Sequence, residues 1–163
     1  ALNTWQQHRI ARLVVEKLFG TVTGKRLAIL GFAFKADTND TREAPAIRIC
    51  RDLLEEGAQL AIHDPKVEAQ QMARDLQQEA APQADALSGT GSWAKACSIE
   101  DAVVGADAVL VLTEWQHYRD LNWMSLAARM RKPAWVFDAR AVADPEQVRA
   151  AGLTLWRVGD GEA

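Results

Sequence analysis

Residues Arg26 to Phe34 read RLAILGFAF, a nearly unbroken apolar run that follows a turn signal at Gly24. A half-exposed strand would alternate apolar and polar residues, so this run is typical of a strand buried on both faces of a parallel sheet. The run from Ala106 to Thr113, ADAVLVLT, has the same character. We therefore expect these two segments to be central strands of one parallel sheet.

Strand and helix patterns alternate on both sides of these runs. Further strands are predicted at Gln59 to Asp64, Trp93 to Cys97, Ala134 to Asp138 and Leu153 to Val158. Helices are predicted at Asn3 to Phe19, Pro45 to Gly57, Val67 to Gln78, Ser98 to Gly105, Trp123 to Met130 and Asp144 to Ala151, and an exposed loop at Ala80 to Gly91. Such alternation predicts an α/β fold, a Rossmann-like, doubly wound and mainly parallel sheet with flanking helices.

Length and composition exclude several classes of protein. The chain has 163 residues, 48% hydrophobic and 25% charged, as expected for one globular core. Its net charge of −3, with acidic and basic residues interspersed, argues against a nucleic-acid partner. The apolar runs are shorter than a bilayer span and no signal peptide opens the chain, so we expect no membrane association and a cytoplasmic location.

The two cysteines and the oxygen-rich segment after the first strand predict neither a disulfide nor a metal site. Cys50 and Cys97 lie in apolar stretches without metal-ligand spacing, so we expect two small core residues in a reducing compartment. The oxygen-rich segment that begins at Asp37 lacks the glycine and the glutamate that a calcium loop requires. Asp40 and Thr41 are instead expected to cap the helix that begins near Pro45.

Ligands in doubly wound folds bind outside the carboxyl ends of the strands, so the residues that follow the first strand are candidates for ligand binding. The segment Gly31 to Ala36 keeps only the first glycine of a GxGxxG motif and offers instead the aromatic ring of Phe34 and the cation of Lys35. This pairing suits a sugar nucleotide, although Lys35 could equally be a solvated side chain beside a core phenylalanine. Arg42 opposes the dipole of the helix that follows, which favours a ligand-binding role.

Two further strand ends should reach the same edge of the sheet. Arg140 could bind a phosphate or a base carbonyl, or it could pair with Asp138 or Glu114. Trp115 could stack on a base or pack in the core. His63 is expected to be a structural histidine, and the sequence contains no residue set that would support catalysis by itself.

Four ordered motifs carry a family resemblance: GFAFKADTNDTRE at Gly31 to Glu43, HDPK at His63 to Lys66, LTEW at Leu112 to Trp115 and FDAR at Phe137 to Arg140. Together they resemble the C-terminal, UDP-binding domain of the UDP-glucose/GDP-mannose dehydrogenase family, and among its members the UDP-glucose 6-dehydrogenases. The resemblance implies that residues 1–20 are the end of a central linking helix and residues 21–163 the UDP-sugar-binding domain. The NAD-binding and catalytic-cysteine domains would then be absent from this chain.

The resemblance also implies roles for individual residues. Phe34, Lys35 and Arg140 resemble residues that bind the UDP-sugar, and Arg42 resembles an arginine that reaches the NAD bound by the other domain. Ala139 departs from the family pattern, which often has glycine there. The chain alone would be inactive as a dehydrogenase.

The implied ligands and partners follow from the same resemblance. They are UDP-glucose, NAD held mainly by the missing domain, the rest of the parent chain and a homo-oligomeric full-length enzyme of polysaccharide biosynthesis. GDP-mannose or a UDP-N-acetylhexosamine as the substrate, or a stand-alone nucleotide-sugar-binding module, remain alternatives.

Overall fold

The computed structural model describes residues 4–33, 40–41, 44–80 and 91–158, with side chains described from residue 9 onward. The described helices are α1 (Thr4–Lys17), α2 (Pro45–Glu55), α3 (Ala69–Leu76), α4 (Ile99–Val103), α5 (Gln116–Arg119), α6 (Trp123–Arg129) and α7 (Pro145–Ala150). The described strands are β1 (Arg26–Leu30), β2 (Gln59–His63), β3 (Ser92–Lys95), β4 (Ala108–Val111), β5 (Trp135–Asp138) and β6 (Thr154–Arg157).

The strands form one six-stranded sheet in the order β3-β2-β1-β4-β5-β6, and every pairing is parallel. The predicted doubly wound sheet is therefore confirmed. The order reverses between β1 and β4, where Leu27 lies opposite Ala108 and Leu30 opposite Val111. In such sheets the crevice for a ligand opens at this reversal, on the side of the strands' carboxyl ends.

Helices cover both faces of the sheet, which gives two hydrophobic cores. One core joins the sheet to α1, α2 and α3, through residues such as Val14, Ile49 and Met72. The other core joins it to α4, α6 and α7, through residues such as Val103, Leu126 and Val148. Strands β1 and β4 contribute to both cores, which explains why the two longest apolar runs lack alternation.

The predicted elements are present and are shorter than predicted, and β3 also begins one residue before its predicted start, at Ser92. Helix α4 begins as its sequence suggested, because the Ser98 hydroxyl accepts a hydrogen bond from the Asp101 amide at 3.0 Å. Asp144 caps α7 in the same way, through the Glu146 amide at 3.0 Å. The short helix α5 was not predicted. Most of the predicted loop from Ala80 to Gly91 lies outside the described residues.

Two expectations were wrong. Cys50 is buried, but Cys97 is exposed, because the edge strand β3 ends at Lys95 and leaves the next turn at the surface. Thr41 does not cap α2, whose N-cap, Ala44, makes no side-chain cap hydrogen bond. The Thr41 hydroxyl instead donates to the carboxylate of Asp75 in α3 at 2.6 Å.

None of the helices in the described part of the chain is both long and apolar enough to cross a membrane.

Candidate functional site at the carboxyl edge of the sheet

The site is built around a close approach between the turn after β1 and the end of β4. Gly31 has φ +100°, and a Cβ atom there would lie 2.4 Å from the Cβ atom of Thr113. The buried Thr113 hydroxyl crosses the reversal point and donates to the Ala33 carbonyl at 2.9 Å. Only glycine satisfies both the backbone conformation and the available space, so the glycine at the start of the predicted motif has a steric cause.

In dinucleotide-binding folds the backbone amides of the turn after the first strand donate hydrogen bonds to a phosphate. In this chain those amides donate to a carboxylate of the chain itself. Asp64, which is 2% exposed, follows β2 and accepts hydrogen bonds from the amides of Phe32 at 2.8 Å and Ala33 at 3.0 Å. Its second oxygen accepts from the amides of Lys66 at 2.9 Å and Val67 at 3.1 Å. This turn therefore does not fit the pyrophosphate of NAD.

A second buried carboxylate organises the turn after β5. Asp138 is fully buried and accepts hydrogen bonds from the amides of Arg140 at 3.1 Å and Ala143 at 2.8 Å. The guanidinium group of Arg157 on β6 approaches it, with Nε 3.8 Å from Oδ2. Asp64, directly after β2, and Asp138, the last residue of β5, thus each fix the backbone of a turn at the carboxyl edge of the sheet.

Arg140 pairs with Glu114, one of the two partners that the sequence left open. Its Nε atom donates to Oε2 of Glu114 at 2.6 Å, and its Nη2 atom contacts the same oxygen. Both side chains are about one-quarter exposed, at 26% for Arg140 and 28% for Glu114. Asp138 binds the backbone amide of Arg140 instead. A cation therefore lies at the edge predicted for ligand binding. Asp138 holds the backbone of Arg140 and Glu114 holds its guanidinium group.

His63 is a structural residue, as predicted. Its Nδ1 atom lies 2.9 Å from the hydroxyl of Tyr118 in α5, and that hydroxyl donates to the His63 carbonyl at 3.2 Å. Burial lowers the pKa of His63, and the positive charges of His117 and Lys95 lower it further. The carboxylates of Asp64 and Glu100 oppose that shift. Burial also raises the pKa of Tyr118, so its phenol stays protonated.

The other predicted site residues have different outcomes. Phe34, Lys35 and Arg42 lie outside the described residues. Trp115 is 3% exposed and packs in the core against helices, which agrees with packing rather than base stacking. Sequence reasoning missed the roles of Asp64 and Tyr118. A strand that ends in aspartate and proline was the available signal for Asp64, but Tyr118 gave no comparable signal.

The comparisons with known proteins agree with this architecture. Residues 28–145 match the model of the UDP binding domain of the UDP-glucose/GDP-mannose dehydrogenase family. The chain belongs to this family. Within the matched range lie both buried aspartates, the Gly31 turn and the Arg140–Glu114 pair, so the whole candidate site is part of the family's UDP binding domain.

Curated relatives match almost the whole of this chain. UDP-glucose 6-dehydrogenase 5 of Oryza sativa subsp. japonica is 39% identical over 165 residues, which cover 97% of this chain and 34% of the relative. The UDP-glucose 6-dehydrogenase of Drosophila melanogaster is 40% identical over 162 residues, which cover 97% of this chain and 33% of the relative. The chain thus spans about one-third of the length of these relatives.

Solved structures share the fold. An NDP-N-acetyl-D-galactosaminuronic acid dehydrogenase from Methanosarcina mazei superposes with a TM-score of 0.71 at 23% identity, covering 94% of this chain and 28% of that one. A UDP-glucose dehydrogenase from Pyrobaculum islandicum superposes with a TM-score of 0.64 at 23% identity, covering 93% and 29%. At these identities the likeness supports the fold alone.

Metal chemistry has no candidate centre in the described residues, whose His, Cys, Asp and Glu side chains form no cluster of three that could hold an ion.

Proposed function

We propose that this chain is the nucleotide-sugar-binding domain of an NAD-dependent UDP-glucose 6-dehydrogenase, which oxidises UDP-glucose to UDP-glucuronate with two equivalents of NAD. The observation that carries the proposal is the identity of 39 to 40% with UDP-glucose 6-dehydrogenases over 97% of the chain. The family also contains enzymes named for other sugars, so GDP-mannose and UDP-N-acetylhexosamines are the competing substrates.

The proposed ligand site lies at the carboxyl edge of the sheet beside the reversal between β1 and β4. Arg140 supports it, because a guanidinium group at this edge can donate two hydrogen bonds to a phosphate or to a base carbonyl. We propose that Phe34 and Lys35 complete the UDP-sugar site from the turn after β1. Arg42 is proposed to contact NAD bound by the remainder of the parent protein.

Covalent catalysis and the main NAD site are assigned to the remainder of the parent protein. Burial raises the pKa of the Cys50 thiol, so a thiolate is disfavoured there. Cys97 follows β3, four strands away from β5, a separation of roughly 19 Å at about 4.8 Å per strand. The turn after β1, where Asp64 holds the amides, does not fit a dinucleotide. Residues 1–20 are proposed to be the end of the linking helix.

Related expectations accompany this function. We propose a cytoplasmic, homo-oligomeric full-length enzyme that supplies UDP-glucuronate for polysaccharide biosynthesis. A stand-alone nucleotide-sugar-binding module is the alternative of a different class, and a parent gene that lacks an NAD-binding domain would favour it.

The test has two parts. Calorimetric titration of the full-length protein with UDP-glucose, UDP-N-acetylglucosamine and GDP-mannose should show the tightest binding for UDP-glucose, and kcat/KM for NADH formation should follow the same order. Lys35→Ala should weaken UDP-glucose binding by roughly 10- to 150-fold, as expected for a lost charge-assisted hydrogen bond. Tighter binding and faster turnover with GDP-mannose would contradict the assignment of the sugar nucleotide.

A further inference from the structure

The contact between Arg140 and Glu114 uses one particular edge of the guanidinium group. A guanidinium group has a side edge, formed by Nε and Nη2, and an end edge, formed by Nη1 and Nη2, and each edge can bind an anion in a bidentate manner. The Nε and Nη2 atoms of Arg140 both contact the same oxygen, Oε2 of Glu114. The carboxylate therefore takes the side edge of Arg140.

The backbone on both sides of this ion pair is held by the sheet. Arg140 lies two residues after β5, and its own amide is bonded to the fully buried carboxylate of Asp138. The preceding amide, that of Ala139, donates to the carbonyl of Val111, the last residue of β4, at 3.0 Å. Glu114 follows that same strand by three residues. The neighbouring strands β4 and β5 thus fix the backbone positions from which the side chains of Glu114 and Arg140 extend.

Partial burial makes the contact more durable than a surface ion pair. Exposed pairs contribute little, because water screens the charges and both side chains lose rotamer freedom. Here about three-quarters of each side chain is covered, and the contact to Nε is short at 2.6 Å. An arginine held in this way has already lost the rotamer freedom that a ligand would otherwise have to restrict.

We propose that Glu114 is a positioning residue of the nucleotide-sugar site, which holds the side edge of Arg140 so that the end edge meets an anionic or carbonyl oxygen of the ligand. The proposal deepens the proposed function and rests on it. Glu114 itself does not touch the ligand in this arrangement. Its effect on binding passes through Arg140.

A competing arrangement makes the opposite prediction. If the ligand had to displace Glu114 to reach the side edge of Arg140, the carboxylate would be an internal competitor. Removing Glu114 would then strengthen binding, whereas removing a positioning residue weakens it. The sign of the change in affinity therefore separates the two arrangements.

The experiment measures UDP-glucose binding by calorimetry, and KM and kcat for both substrates, in the full-length protein. Glu114→Ala should weaken UDP-glucose binding by up to about 30-fold, because ordering the arginine side chain now falls on the ligand. The KM for NAD should change little. Glu114→Gln should bind UDP-glucose nearly as well as the wild type, because the amide oxygen still accepts from Nε.

A double variant tests whether Glu114 acts through Arg140. Glu114→Ala combined with Arg140→Ala should bind UDP-glucose no more weakly than Arg140→Ala alone. Tighter binding than in that single variant would also agree with the proposal, because Arg140→Ala alone leaves an uncompensated carboxylate beside an anionic ligand. Additive losses in the double variant would show that Glu114 acts independently and would overturn the proposal.

Asp107→Asn is the matched control, since Asp107 also pairs with an arginine, Arg131, at 3.7 Å. It directly precedes β4, whereas Glu114 follows the carboxyl end of that strand, so the two residues lie beyond opposite ends of β4. Its binding of UDP-glucose should equal that of the wild type. Unchanged or tighter binding by Glu114→Ala would overturn the positioning role while leaving the proposed function intact. A wild-type protein that binds no UDP-sugar would overturn both.

Discussion

Gly31 allows the turn after β1 to approach the end of β4 closely at the carboxyl edge of the sheet. Its positive φ is disfavoured for any residue with a Cβ atom, and Thr113 occupies the space that such an atom would need. The position therefore combines two separate penalties. A glycine with a positive φ in open space carries only the first of them, and Gly152 after α7 is such a residue.

Gly31→Ala should lower the free energy of unfolding by about 2 to 5 kcal/mol, the sum of the backbone penalty and the overpacking against Thr113. Gly152→Ala, with φ +86° and no heavy atom within 4 Å, should cost only about 1 to 2 kcal/mol. Urea unfolding of both variants measures the difference. Equal losses would mean that Thr113 moves aside without cost.

His63 gives the protein a pH-dependent stability at the same edge of the sheet. Burial lowers its pKa in the folded state, so the unfolded chain takes up a proton at a higher pH than the folded chain does. Between the unfolded pKa of about 6.5 and the lower folded value, the unfolded state binds more protons, and stability rises with pH. The stabilisation is complete above the unfolded pKa and falls as the pH decreases towards the folded value.

His63→Gln should therefore flatten the rise in unfolding free energy across that window, because glutamine does not titrate. The measurement is a series of urea unfolding curves at pH values from 5 to 8. His117→Gln is the control, since His117 is exposed and makes only a smaller charge contribution to the shift of His63. If the unfolding free energy still rose with pH in His63→Gln but not in His117→Gln, the pH dependence would come from His117 and not from His63.

Arg42 carries the remaining residue-level prediction. In the full-length protein, Arg42→Ala should raise the KM for NAD more than the KM for UDP-glucose, because its proposed partner is the dinucleotide. Steady-state kinetics with each substrate varied in turn provides the test. An effect confined to UDP-glucose would reassign Arg42 to the sugar-nucleotide site.

At the scale of elements, Asp64 joins the ends of β1 and β2 by accepting four backbone hydrogen bonds from two different turns. Backbone amides that are buried without a partner are costly, so the carboxylate removes a penalty that the turns would otherwise carry. Asp138 has a similar role after β5, with two amide contacts.

Asp64→Ala should destabilise the chain by about 3 kcal/mol or more, because it leaves buried amides without an acceptor. Asp64→Asn should cost less, since its single oxygen can still serve one of the turns. Asp144→Ala, which removes an exposed helix cap, should cost about 1 kcal/mol and provides the matched control. Thermal or urea unfolding measures the loss of stability in each variant. A larger loss in Asp144→Ala than in Asp64→Ala would contradict this role.

The type and order of the elements could be predicted from the sequence because their periodicities differ. Continuous apolar runs marked the buried strands β1 and β4, and spacings of three and four residues marked α2. The bounds were less accurate, because an apolar run continues into turns that bury their side chains, as Phe32 does. Helix α5 has four residues, too few to show a period.

The candidate site was only partly predictable for a related reason. Motif position indicated that Arg140 would lie at the carboxyl edge, but its choice of Glu114 depends on the register between β4 and β5. Thr41 was predicted as a helix cap and instead bonds to Asp75, thirty-four residues along the chain. Side-chain partners that are distant in sequence require tertiary structure.

At the scale of the whole molecule, the chain has a complete core on each face of its sheet. Its described residues nevertheless place no accessible cysteine thiol near Arg140, since Cys50 is buried and Cys97 lies after the far edge strand.

The chain by itself should therefore form no NADH from UDP-glucose and NAD. The measurement is absorbance at the NADH band with excess of both substrates, and the full-length protein serves as the positive control. NADH formation by the isolated chain would contradict the division of labour proposed for the parent protein.

The internal carboxylate of Asp64 also limits how this scaffold could be re-engineered. Introducing glycines at Ala33 and Ala36 would complete the GxGxxG pattern that begins at Gly31. The redesigned turn would still present its amides to a resident anion, and a pyrophosphate would have to expel a buried charge before it could bind. A designer who wants a dinucleotide domain must therefore replace Asp64 first and treat the glycines as the second step.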